Sequence, residues 1–124
     1  MNSTQHQAYF MKLKKLNLPL LCRHKVAISE LSANYVYEDV YLRSWDLARA
    51  IADTKPAPGA RVALLCGGGL SHVVGVWACW LAGHAAVPLC PGGGEARLEH
   101  LVMDSAAELV IATADQVRAS HWSL

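Results

Sequence analysis

No acidic residue occurs before Glu30, while Lys12, Lys14, Lys15, Arg23 and Lys25 crowd the same stretch. Residues 1–25 therefore form a basic segment in which Phe10, Leu13, Leu16 and Leu20 recur at near-helical spacing. Mitochondrial leaders are basic, acid-free and amphipathic, but they favour Arg over Lys, and Pro19 breaks the helix such a leader needs. The segment reads as a weak targeting signal or a basic tail, with Met11 as a second candidate start. Charge of one sign is lacking overall: 11 Lys and Arg against 10 Asp and Glu leave a formal net charge of +1. Without a global field, strong binding to nucleic acid or anionic membrane is not expected. Long apolar runs are missing too, since the longest, residues 73–82, is half the roughly 20 residues that cross a bilayer. No transmembrane segment and no secretory leader is expected. The four cysteines, Cys22, Cys66, Cys79 and Cys90, form no C-x-x-C pair, and those inside apolar runs read as reduced, buried thiols of an intracellular protein.

What is present is core-forming sequence. A hydrophobic fraction of 53% with 17% charged residues argues against disorder, and 124 residues bound the chain to one domain or one piece of a larger one. The pattern becomes regular at Val26. Residues 26–31 and 35–37 are short β-prone runs around Ser32, Ala33 and Asn34, which predicts a hairpin. In residues 38–53, Val40, Ser44, Leu47, Ala48 and Ile51 share one face and Asp39, Arg43, Asp46, Arg49 and Asp53 the other. That spacing predicts an amphipathic helix whose outer charges pair as Asp39 with Arg43 and Arg49 with Asp53. Pro56, Pro58 and Gly59 stop it.

A repeating order follows: strand at residues 61–66, glycine loop at 67–69, helix at 70–82 stopped by Gly83, strand at 85–89, loop at 91–94, helix at 95–105 and strand at 108–112. Alternation at this spacing predicts right-handed β-α-β crossovers and a parallel sheet. The fold class is α/β: a β-hairpin and amphipathic helix, then β-α-β-α-β. The helix of residues 70–82 has no polar face, so burial on all sides is expected, with Trp77 and Trp80 as core residues. The strand at 108–112 is expected to be buried as well. In the helix of residues 95–105, Leu98, Leu101 and Val102 face the core, leaving Glu95, Glu99, His100 and Asp104 to solvent.

Several groups invite a chemical reading. Gly67, Gly68 and Gly69 lie where a dinucleotide fingerprint places its turn, yet G-x-G-x-x-G requires glycine at position 72, which is His72. Gly92, Gly93 and Gly94 are followed by Glu95 rather than the Lys and Ser or Thr of a phosphate-binding loop. Both read as connections. His6, His24, His72, His84, His100 and His121 show no metal-binding spacing with one another or with cysteine. Ser71 with His72, or Cys90, could supply a nucleophile, but no spacing selects them. No catalytic, cofactor-binding or metal-ligating residue is assigned.

Residues 35–115 nevertheless carry a resemblance. Tyr37-Glu38-Asp39-Val40, with a helix ending Ala48-Arg49-Ala50-Ile51-Ala52, resembles the opening helix of adenylate-forming enzymes. Pro58-Gly59-Ala60-Arg61-Val62-Ala63-Leu64-Leu65 is similar to their first parallel strand. Residues 73–81, Ala82-Gly83, Ala86-Val87-Pro88-Leu89, Ala96-Arg97-Leu98, Asp104-Ser105 and Leu109-Val110-Ile111 continue in the order of the AMP-forming acyl-CoA synthetases. Trp77-Ala78-Cys79-Trp80 and Leu64-Leu65-Cys66 resemble the mitochondrial malonyl-CoA synthetase branch. Cys90-Pro91-Gly92-Gly93-Gly94 departs from the longer polar loop of many members.

The resemblance implies a carboxylate that attacks ATP to form an acyl-adenylate and pyrophosphate, after which the sulfur of coenzyme A displaces AMP. Such chemistry needs donors and magnesium to offset charge on the triphosphate. In the family those groups lie beyond the matching segment. Residues 26–119 then correspond to the opening part of the AMP-binding large domain, with 1–25 ahead of it and 120–124 unassigned. The implied chain is an N-terminal fragment that is inactive alone and binds no cofactor itself, with ATP, magnesium and coenzyme A belonging to the full-length family. Its implied partner is the remainder of the synthetase or a second copy, and its location the mitochondrial matrix or the cytoplasm. The alternatives are a self-standing α/β module that binds a nucleotide or protein, and a non-catalytic regulatory short form.

Overall fold

The computed structural model describes residues 22–90 and 94–120. Strands β1 (Val26–Ser29) and β2 (Asn34–Val36) pair antiparallel, with Ser29 opposite Asn34, and the register shifts between Val26 and Ile28. The hairpin closes where the Glu30 amide donates to the Ala33 carbonyl, at 2.9 Å.

Helix α1 (Tyr37–Asp53) starts directly from β2 without a side-chain cap. Its first amides are satisfied by backbone instead, Tyr37 donating to the Lys25 carbonyl at 3.0 Å and Glu38 to the Arg23 carbonyl at 3.2 Å. Glu38 and Asp39 place negative charge at the positive end of the helix dipole. Val40, Ser44, Ala48 and Ile51 form the buried stripe, as the spacing predicts, and Leu47 is half-buried beside it. Ser44 is tolerated there because its hydroxyl donates to the Val40 carbonyl at 2.7 Å. Arg43 pairs with Asp39 at 3.1 Å as expected. Arg49 does not pair with Asp53; it turns to Asp46 at 3.2 Å, one residue nearer along the helix and on the same exposed side.

The parallel sheet is formed by β3 (Arg61–Leu65), β4 (Ala85–Pro88) and β5 (Leu109–Ala112) in the order β4-β3-β5. Val62 lies opposite Ala86 on one side and Leu109 on the other. Between β3 and β4 runs α2 (Gly69–Leu81), and between β4 and β5 runs α3 (Glu95–Ser105). The first crossover moves one strand outward and the second returns across β3. Right-handed connections therefore place α2 and α3 on opposite faces. Successive residues of β3 point to opposite faces, and both faces are covered. Val62 and Leu64 join Ala48, Ile51, Ala78 and Cys79 in one cluster, while Ala63, Leu65 and Leu98 are buried outside it. Gly83, with φ of +81°, closes α2: its amide donates to the Trp80 carbonyl at 3.0 Å and the His84 amide to the Cys79 carbonyl at 2.8 Å.

Two burial expectations are corrected. Helix α2 is not buried on all sides: Gly75, Ala78, Cys79 and Leu81 are, but Trp77 is only partly covered and Trp80 is 49% exposed. The helix packs on α1, on the parallel sheet and on β1, and its Trp80 side stays exposed. Strand β5 is half-buried throughout, because it is an edge strand among the described residues. In α3, Leu98 is buried, Leu101 and Val102 are half-buried, and Glu95, Glu99, His100 and Asp104 face solvent as expected. A short helix, α4 (Ala114–Ser120), follows β5; its seven residues are too few for the periodicity to announce it.

Candidate functional site

In an open α/β sheet, ligands gather outside the carboxyl ends of the strands. Here that end of β3 carries the glycine turn, with Gly67 at φ +67° and Gly69 at φ +70°, leading into α2. The first amides of a helix are unpaired and carry partial positive charge, which is why phosphates bind there. In this protein the place is taken. The Leu70 amide donates to Glu30 Oε1 at 2.7 Å, so the acid at the hairpin tip caps α2 from 40 positions earlier in the chain. A Cβ at Gly69 would collide with that same carboxylate oxygen. Glycine is favoured here for its positive φ, and a Cβ would push the Glu30 carboxylate aside. The carboxylate thus joins the hairpin to the first turn of α2.

The remaining candidates do not assemble. Ser71 is exposed, His72 partly buried and Cys90 exposed, and no hydrogen bond joins them among the described residues. Gly92 and Gly93 lie outside the described residues, as do His6 and His121. Among the described residues no three His, Cys, Asp or Glu side chains come together as a metal site.

Cys66 and Cys79 are buried in the core cluster, both as free thiols. Burial raises the Cys66 thiol above its ordinary 9.0, and burial together with neighbouring Cys66 pushes Cys79 up to about 12. Neither is a nucleophile at neutral pH, because the thiolate is the reactive form. Thiol titration of the native protein is expected to consume Cys90 at once and to spare Cys66 and Cys79 until denaturant is added. Equal rates at all the cysteines would show that the core is open.

Glu30 was not selected by sequence reasoning. A lone acid between two β-prone runs looks like a solvated turn residue, and no local spacing connects it to position 70.

The order of elements, hairpin, helix and β-α-β-α-β, can be set against known proteins. The family described as AMP-binding enzyme matches residues 22–123. The chain belongs to that family. Mitochondrial malonate-CoA ligase ACSF3 of Bos taurus is 35% identical over 98 residues, 75% of this chain and 17% of that protein. The Xenopus laevis protein of the same name is 33% identical over 97 residues, 74% of this chain and 17% of its own length. The chain thus spans about a sixth of the curated relatives it matches. Among solved structures, a benzoate CoA ligase from Burkholderia xenovorans LB400 superposes with a TM-score of 0.75 at 21% identity, over 89% of this chain and 22% of the other. That likeness shows the fold. The AMP-binding family member described here therefore has the α/β architecture of adenylate-forming ligases, as its motif order implied.

Proposed function

We propose that this chain is the opening part of the large domain of an ATP-dependent acyl-CoA ligase acting on malonate, and that it supplies scaffold rather than catalytic groups. The observation that carries the reading is identity of about a third to malonate-CoA ligases along three-quarters of the chain. The capped glycine turn supports the scaffold role, because the Glu30 carboxylate occupies the first turn of α2, one of the helix ends where phosphates bind. ATP, magnesium and coenzyme A belong, in this reading, to the assembled ligase. Pyrophosphate exchange into ATP with malonate tests it: the purified chain is expected to show none above a heat-denatured control. Exchange by the chain alone would overturn the scaffold role.

The partner in this reading is the remainder of the ligase. Trp80 is half-exposed on α2, and the outer edge of β5 carries Leu109, Val110, Ile111 and Ala112 without a charge. Such an edge invites pairing. By light scattering after size exclusion, the chain alone is expected to self-associate and to bind hydrophobic dye. A sharp monomer with a cooperative melt and no dye binding would overturn this. The mitochondrial matrix is the proposed location, supported by the names of the relatives and the basic, acid-free residues 1–25.

A further inference from the structure

We draw no further inference here: the strongest candidate, the outward apolar face of α2 carrying Val73, Trp77 and the half-exposed Trp80, belongs to the partner surface already proposed, and nothing else in the structure shows what covers it.

Discussion

Replacing Leu64 with alanine is expected to destabilise the protein by about 3 kcal/mol, within the 2–5 kcal/mol range for buried leucines. Leu64 is 1% exposed on β3, the central strand of the sheet, with which both neighbours pair. Its side chain lies directly under α2, and a Cβ at Gly75 would sit 3.3 Å from Leu64 Cδ2. Truncation leaves a cavity that the sheet cannot close, because β3 is held on both edges by hydrogen bonds. Gly75 provides an internal check. Alone, Gly75→Ala gains about 1 kcal/mol of helix propensity but presses on Leu64, and the two effects nearly cancel. In the Leu64→Ala background the pressure is gone, so Gly75→Ala should restore about 1 kcal/mol or more. Urea unfolding of the four variants measures this, provided the slope with denaturant is unchanged. A loss below about 1 kcal/mol for Leu64→Ala would mean that α2 does not pack on β3 as described.

The second large effect is expected at Gly69. Alanine there costs about 1–2 kcal/mol for the left-handed backbone, and its Cβ displaces Glu30 from the end of α2. Loss of an N-terminal cap adds about 0.5–2 kcal/mol, so Gly69→Ala should cost about 1.5–4 kcal/mol in all. Glu30→Ala alone loses only the cap. In that background Gly69→Ala should cost only its backbone share, leaving a coupling of about 1 kcal/mol in the double-mutant cycle. Strict additivity would show that the hairpin and α2 are not joined through this carboxylate.

The element order was legible in the sequence because it rests on local pattern: short β-prone and apolar runs in the strands, a 3.6-residue stripe in α1, and Gly and Pro at the ends. The buried stripe of Val40, Ser44, Ala48 and Ile51 could be read from spacing alone, since a helix converts sequence distance into angle. The same locality explains the errors. Arg49 has two acids within reach, Asp46 and Asp53, and spacing does not choose between them. An apolar sequence states that a helix can be buried, while the elements packed around it decide which faces are, and Trp80 stays half-exposed.

The family, the α/β class and the parallel strands were therefore determined by the sequence itself, through the order of its motifs. Only the tertiary structure decided that β3 lies between β4 and β5, that α2 and α3 cover opposite faces, and that Glu30 closes the glycine turn. The physical reason is distance along the chain. A contact between residues 30 and 70 depends on how the hairpin, α1 and β3 pack, and no pattern within a single turn or strand encodes that meeting.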